Sequence, residues 1–422
     1  MLSRIASGQR TPMGAELVKC LTWDAAELAP YLADLSVARA EALVTQAASQ
    51  GGGPWLRDRL IAQQLFNALP AAVRDNLDAQ YFDNTARMAA RYHELGVILE
   101  RLAEQRIPVI ALKGIYLAKA VYPQPGLRPM SDMDLLFRAA DLEASQTLLL
   151  QLGYTQKGVA RPLADALPNM QHLPPFERPG ATNIEVHLRI EGPSAPFSID
   201  YDGVWERARP WPLGGRPLLA LAPEDLLLHL CLHATYHHRF RIGLNALLDI
   251  SRVAQVEPLD WDLFIERAGN WGAELPSFLG LSLAQRLVRA SIPGAALAAL
   301  APREPVDAIL AIAARTILDE RVEDRSHDAL KDALVSRHNY LKMLDELNAM
   351  SSWRAKLGFI LAKAFPSRTV LESPYPRFEG SGWVRVMYGM HWLVLAGRFA
   401  RRMGRAKRYW QTLRELDPRW FS

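Results

Sequence analysis

The spacing of apolar residues changes at Arg106, and this change restricts the chain to a mixture of helices and strands. Before it, apolar residues recur every three or four positions, and a long helix is predicted from about 83 to 105. The segment 106–112, RIPVIAL, is short, rich in β-branched residues and followed by glycine, which is typical of a buried strand. Strand-like segments recur at 131–137 (SDMDLLF) and 182–190 (TNIEVHLRI), with the helical segments GIYLAKAVY and AADLEASQTLLLQLGY between them.

This alternation predicts an α+β protein in which a small α/β domain with a mixed sheet occupies residues 106–215. The flanking residues, 1–105 and 216–422, have helical spacing and are expected to form helical regions. A Pro-rich loop is expected from about 161 to 180. Helices should resume at Pro223 and continue to about 361, because proline followed by acidic residues favours a helix start.

The composition excludes several classes of protein. Half of the 422 residues are apolar and 22% are charged, which is typical of a folded chain rather than a disordered one. There are only two cysteines, Cys20 and Cys231, so a disulfide framework is not expected. Neither a secretory leader nor an apolar run of roughly 20 residues for a membrane helix is evident. We therefore expect a cytoplasmic protein.

Positive charge is concentrated near the end of the chain. Residues 398–422 contain eight Lys/Arg and two acidic residues, so the net charge of this segment is +6. The net charge of the whole chain is +4, so the net charge of the other residues is −2. The preceding stretch, GWVRVMYGMHWLVLAG, adds aromatic residues. Two interpretations stay open: the segment docks on the helical region, or it lies on an anionic membrane or a partner. Nucleic-acid binding is not expected, because no recognised module accompanies the charge.

Acidic side chains share a face on two of the predicted strands. Side chains alternate along a strand, so Asp132 and Asp134 lie on one face of SDMDLLF. Glu185 and His187 share a face of NIEVHLRI in the same way. Adjacent strands could gather the three carboxylates, whose mutual repulsion a pair of divalent cations would relieve. D-x-D alone is also compatible with a solvated strand end, or with a glycosyltransferase that binds a metal and a nucleotide sugar.

The stretch ALKGIYLAKAVYPQPGLRPMSDMDLLF resembles the signature of a bacterial family of uncharacterised nucleotidyltransferases. This family is part of the superfamily of DNA polymerase beta and the aminoglycoside nucleotidyltransferases. The similarity continues through LLLQLGY, IEVHLRI, PEDLLLHLCLHATYH and LLDI, and the Lys-Gly turn, the Arg-Pro pair and D-x-D occur together. The resemblance implies a nucleotidyltransferase α/β domain flanked by helical regions.

The resemblance also implies roles for individual residues. Asp132, Asp134 and Glu185 match the metal-binding carboxylates, and Glu185 would complete the metal site or deprotonate the attacking hydroxyl. The metal would be Mg²⁺, with two ions expected, or Mn²⁺. Lys113 and Gly114 stand where most of the superfamily has a Gly-Ser turn that holds nucleotide phosphates. Because no serine follows Gly114, backbone N–H groups, a helix N-terminus and Lys113 are expected to bind the phosphates.

Three supporting residues each have a functional and a structural interpretation. Arg128 could grip a triphosphate with two N–H groups, or could form a salt bridge to one of the aspartates. Ser131 could touch a phosphate or cap the strand entry. His187 could orient a carboxylate, contact substrate or hydrogen-bond inside the domain.

Four histidines and an aspartate follow in the helical region. His229 and His233 share a helix face, and His237 and His238 extend the run. Zinc is not favoured, because the glutamate of an H-E-x-x-H site is absent. One histidine is expected to lie in the core and another to line the cleft. Asp249 could face the same cleft or serve the structure.

Together these features predict transfer of a nucleoside monophosphate from an NTP, with ATP a candidate donor, to an acceptor hydroxyl. The acceptor could be a small molecule, a peptide or a protein. Two alternatives stay open. One is phosphoryl or glycosyl transfer from a nucleotide donor on the same scaffold, for example in tailoring a peptide natural product. The other is a catalytically silent nucleotide-binding protein.

Overall fold

The computed structural model describes residues 13–156 and 170–318, apart from 194, 242 and 304. Five helices precede the sheet: α1 (Met13–Thr22), α2 (Ala25–Ala33), α3 (Val37–Ser49), α4 (Gly53–Ala62) and α5 (Ala71–Glu104). The predicted long helix is α5, which has 34 residues and begins well before residue 83. Val73 and Leu77 are both buried, so the apolar face of the helix starts earlier than the sequence pattern indicated.

The sheet is built from seven strands, most of them very short. They are β1 (Ile110–Ala111), β2 (Asp132–Leu136), β3 (Thr155–Gln156), β4 (Phe176–Glu177), β5 (Asn183–His187), β6 (Arg209–Pro210) and β7 (Leu219–Ala220). Three helices lie between strands: α6 (Lys113–Tyr116), α7 (Leu142–Gln151) and α8 (Tyr201–Arg207). The strand order is β3-β4-β5-β2-β1-β7-β6, so the three strands predicted from the sequence are adjacent at the centre.

Parallel and antiparallel pairs occur together in this sheet. β2 pairs parallel with β5, β1 pairs antiparallel with β2, and β1 pairs parallel with β7. The α+β class with a mixed sheet is therefore confirmed. Met133, Leu135, Ile184 and Val186 are fully buried on one face of the central pair. Because side chains alternate, the acidic residues of β2 and β5 lie on the opposite face.

Four strands were not predicted, because each has only two residues and shows no measurable alternation. One of them, β4, lies within the predicted Pro-rich loop at 161–180, and its Phe176 pairs with Ile184 of β5. The described part of that segment thus contains a strand of the sheet, between β3 and β5, and is not only a loop. β7 lies beyond residue 215, and the domain limits at 105 and 215 stay predictions.

Six helices follow the sheet in the described residues. They are α9 (Pro223–Leu232), α10 (Leu244–Val256), α11 (Trp261–Trp271), α12 (Glu274–Val288), α13 (Gly294–Leu300) and α14 (Asp307–Leu318). The predicted start at Pro223 is confirmed. Every residue of α9 is buried, including Glu224, Asp225 and His229, and the helix packs against α10, α11 and α12.

Some of the predictions cannot be compared with the structure. The expected helices between 319 and 361 and the basic aromatic tail lie outside the described residues. Within the described part, none of the helices has the length and apolar character needed to cross a membrane.

Candidate active site

The acidic residues of the two central strands meet in register. Asp134 lies directly opposite Glu185 across the parallel β2–β5 pair, and Asp132 lies two residues earlier on the same face. Asp134 is buried, with 6% of its surface exposed, whereas Asp132 and Glu185 are partly exposed. All three line one cleft of about 340 Å³. The strand pairing required to bring Glu185 beside the D-x-D pair is therefore present.

His187 lies between two of the carboxylates. Its Nε2 is 2.8 Å from Asp134 Oδ1 and 3.3 Å from Glu185 Oε2. Burial lowers the pKa of His187, but the hydrogen bonds with both carboxylates outweigh it and raise the pKa above its ordinary value. The hydrogen bond from His187 is the main reason that the pKa of Glu185 is lowered. Of the interpretations left open by the sequence, the geometry favours a residue that orients the carboxylates.

Lys113 contacts the other side of Asp134. Its Nζ is 3.1 Å from Asp134 Oδ2 and 3.1 Å from His233 Nε2. Lys113 opens α6 directly after β1 with a φ of +36°, a region that residues with a Cβ seldom adopt. Although burial raises the pKa of Asp134, Lys113 and His187 hold it well below its usual range. Asp134 is therefore ionised, with cationic or donor groups on both oxygens.

Asp132 has a different environment. Burial, followed by the charges of Asp134 and Glu185, raises its pKa.

One oxygen or nitrogen atom from each of Asp134, Glu185 and His187 lies within 4.8 Å of the others, close enough to share a metal ion. Carboxylates that repel one another and offer hard oxygen donors suit a divalent cation. The residues present thus fit a metal site.

Arg128 is held by a residue far away in the sequence. Its Nε lies 3.0 Å from Asp249 Oδ1 and its Nη2 lies 2.7 Å from Asp249 Oδ2. Tyr122 also donates a hydrogen bond to Asp249 Oδ1 over 2.8 Å. The structural interpretation of Arg128 predicted a salt bridge to Asp132 or Asp134. That partner is wrong, because the salt bridge is to Asp249. Only Nη1, with a 3.4 Å hydrogen bond to the Pro129 carbonyl, is outside the ion pair.

Gly114 and Ser131 both line the cleft. A Cβ at Gly114 would lie 2.7 Å from Met130 Sδ and 2.9 Å from Arg128 Nη1, so only glycine fits without displacement. Ser131 is exposed beside Asp132 at the entry to β2.

Residues 36–289 match the family described as "uncharacterised nucleotidyltransferase", which is more than half of the chain. The chain belongs to this nucleotidyltransferase family. The match includes every residue that lines the cleft.

Two solved structures resemble this nucleotidyltransferase. The antibiotic-resistance factor ANT(2'')-Ia is 14% identical, covers 43% of this chain and 94% of its own, and has a TM-score of 0.26. An antigenic nucleotidyltransferase-like protein from Paracoccidioides brasiliensis is 15% identical, covers 50% of this chain and 96% of its own, and has a TM-score of 0.30. No functionally curated protein matches the chain.

The opposite wall of the nucleotidyltransferase cleft carries histidines. A π-helical turn, His233–His237, extends α9, and such turns are frequent at functional sites. His233, His237 and His238 line the cleft, whereas His229 is buried behind it. Burial, then Lys113, lowers the pKa of both His229 and His233 well below the ordinary value. Burial and the neighbouring His237 lower the pKa of His238 to about 4, so His233 and His238 are neutral near pH 7.

Several cleft residues were not predicted as site residues. Gln171 and His172 come from the segment before β4, where no periodicity marks a position. The His172 ring lies against His187, with centroids 5.1 Å apart. The sequence shows His237 and His238 as a continuation of the histidine run, and their spacing from His233 is the signal that places them at the cleft. Asn245, on α10, gave no signal in the sequence.

Proposed function

We propose that this protein transfers a nucleoside monophosphate from an NTP to an acceptor hydroxyl with the help of Mg²⁺. The observation that carries the proposal is the register of Asp134 with Glu185, with Asp132 on the same face and all three at one cleft. Membership of a nucleotidyltransferase family supports the same class of reaction.

Asp132, Asp134 and Glu185 are the proposed metal ligands, and His187, whose Nε2–H points at Asp134 and Glu185, is proposed to position those two. Two Mg²⁺ ions, or Mn²⁺, would neutralise phosphate charge and hold the attacking and leaving oxygens in line when bound. The protein's own part is to keep the carboxylates ionised and fixed. For Asp134 and Glu185, the hydrogen bonds from His187 and the ion pair from Lys113 to Asp134 supply this support.

The proposed phosphate contacts lie at the start of α6. Gly114 lets the Arg128 guanidinium and Met130 approach the backbone of this turn, and Lys113 supplies a second positive charge there. Ser131 is exposed at the cleft and can donate its hydroxyl. Arg128 uses Nε–H and one N–H of Nη2 for Asp249, and one N–H of Nη1 for the Pro129 carbonyl. One N–H on each Nη is left, so the proposed contact of two donors with a phosphate uses Nη1 and Nη2.

In the proposed reaction the acceptor hydroxyl oxygen forms a bond with the α-phosphorus of the NTP. The bond from that phosphorus to the oxygen of the β-phosphate breaks, and pyrophosphate leaves with the bonding electrons. The hydroxyl proton passes to a nearby base. Glu185 is proposed for this role, because it is ionised, partly exposed and at the cleft. The acceptor would be a small molecule, a peptide or a protein.

Two labels distinguish this reaction from the alternatives. The protein is incubated with Mg²⁺, a pool of bacterial metabolites and peptides, and an NTP labelled on either the α- or the γ-phosphorus. The proposal expects the α-label in the product and the γ-label in pyrophosphate. Transfer of the γ-label would show phosphoryl transfer. A hexose mass added from a nucleotide sugar would show glycosyl transfer. NTP binding without consumption under all conditions would support a silent binding protein.

A further inference from the structure

Three nitrogen atoms meet at the cleft wall opposite the carboxylates. Lys113 Nζ is 3.1 Å from His233 Nε2, and His238 Nε2 is 3.1 Å from the same His233 atom. We call Lys113, His233 and His238 the nitrogen cluster. The only acidic oxygen that the structure places in direct contact with this cluster, among the described residues, is Asp134 Oδ2, which pairs with Lys113.

The hydrogen bonding within the nitrogen cluster is incomplete. A neutral imidazole has one N–H and one nitrogen lone pair, and an ammonium only donates. If His233 Nε2 carries its lone pair, Lys113 and a donating His238 compete for that one acceptor. If His238 instead presents a lone pair, two lone pairs face each other. If His233 Nε2 instead carries the proton and donates it to His238, the Lys113 ammonium faces an N–H group at 3.1 Å. Every arrangement therefore leaves one pair of neighbouring nitrogens without a donor and an acceptor of their own.

An anionic oxygen placed among the three nitrogens resolves this conflict. With His233 in its Nε2–H tautomer, all three residues donate to the anion, and neutral histidines need no extra proton to do so. A metal ion does not resolve it, because the Lys113 ammonium has no lone pair and repels a cation. In the described residues, the only group of three or more close His, Cys, Asp and Glu ligands is Asp134, Glu185 and His187.

The position of the nitrogen cluster indicates which anion it takes. Lys113 spans the two walls, since the same Nζ contacts Asp134 on one side and His233 on the other. An anion held by the cluster would therefore lie next to the carboxylates, in a cleft whose volume of about 340 Å³ suits a small ligand. Several donors in a row suit a polyphosphate better than a single carboxylate.

We propose that the nitrogen cluster binds the β- and γ-phosphates of the NTP donor and holds pyrophosphate as it leaves. This inference rests on the proposed function, which supplies the triphosphate, and it adds His233 and His238 as phosphate-binding residues. Lys113 belongs to both the α6 turn and the nitrogen cluster, so His233 and His238 would extend the phosphate site from that turn to the opposite wall.

The test is direct binding of inorganic tripolyphosphate to the full chain, measured by calorimetry in EDTA so that no metal contributes. His233→Asn and His238→Asn remove the ring atom at the Nε2 position and should each weaken binding by about tenfold or more, as for loss of a hydrogen bond to a charged group. His233→Gln returns a donor near that position and should recover part of the affinity. His93→Asn, at an exposed residue of another cavity, is the matched control.

The result that overturns the proposal is wild-type binding that His233→Asn and His238→Asn leave unchanged, or no wild-type binding at all. His238 is only partly buried, so its variant keeps the test valid if His233→Asn fails to fold. ATP should displace the bound tripolyphosphate. Binding that ATP does not displace would assign the cluster to a phosphate of the acceptor and contradict the donor site. If the variants lose tripolyphosphate binding but the wild type transfers no nucleotide, the anion site is supported and the proposed function is contradicted.

Discussion

Replacing Asp249 by asparagine removes one charge from a nearly buried ion pair and barely changes the size of the side chain. Asp249 and Arg128 are 4% and 11% exposed, and three hydrogen bonds from Arg128 and one from Tyr122 converge on the carboxylate. Burial disfavours the charge of Arg128, and it is mainly Asp249 that raises the pKa of Arg128 above its usual range. In Asp249→Asn the guanidinium stays buried without a counter-charge.

Removing one partner of a buried ion pair costs about 3–5 kcal/mol. We therefore expect Asp249→Asn to lower the free energy of unfolding by about that amount in urea denaturation followed by circular dichroism. Adding Arg128→Met should recover part of the loss, because no unpaired charge then stays buried. Glu104→Gln is the matched control. It breaks the exposed Arg101–Glu104 pair and should change stability by less than about 0.5 kcal/mol. A loss below about 1 kcal/mol in Asp249→Asn would refute the reasoning.

Three further predictions concern the site and the core. Gly114→Ala should weaken NTP binding and cost about 1–3 kcal/mol of stability, because the new Cβ would lie 2.7 Å from Met130 Sδ. Gly294→Ala, whose Cβ meets open space, should do neither in the same calorimetry and denaturation experiments. Glu185→Gln should change NTP affinity by no more than a few-fold and slow nucleotidyl transfer by about 10²-fold or more, measured in single-turnover kinetics. Equal transfer rates in the variant and the wild type would show that Glu185 has no role in the reaction. Both cysteines are buried, and burial raises the pKa of Cys20 to about 12. A thiol reagent at pH 8 should therefore react with the cysteines only after the protein unfolds. Rapid labelling of the native protein would contradict this burial.

The face on which each carboxylate lies could be predicted, because it depends on the local alternation of side chains along a strand. Strand periodicity alone puts Asp132 and Asp134 on one face and Glu185 on the corresponding face of its own strand. What the sequence could not give was the strand order, which sets Asp134 directly opposite Glu185. The two-residue strands β3, β4, β6 and β7 were not predicted, since two residues cannot show a period.

The partners of the basic residues could not be predicted. Arg128 and Asp249 are 121 residues apart, and Lys113 and His233 are 120 apart. Neither pair leaves a local signal, because the contacts depend on how the helical region packs on the sheet. The sequence therefore suggests a nearby aspartate as the partner of Arg128, whereas in the structure Arg128 forms its salt bridge with Asp249 of α10.

The most direct test of the account is whether the carboxylates bind a divalent cation together with NTP. Mn²⁺ can be titrated into the protein with and without NTP, and the free ion followed by electron paramagnetic resonance. We expect wild-type binding that NTP strengthens, and affinity lower by at least about 10–100-fold in Asp132→Asn and in Asp134→Asn. Asp262→Asn, at an exposed position of α11, should bind as the wild type does. Unchanged Mn²⁺ affinity in folded Asp132→Asn and Asp134→Asn would contradict the proposed metal site.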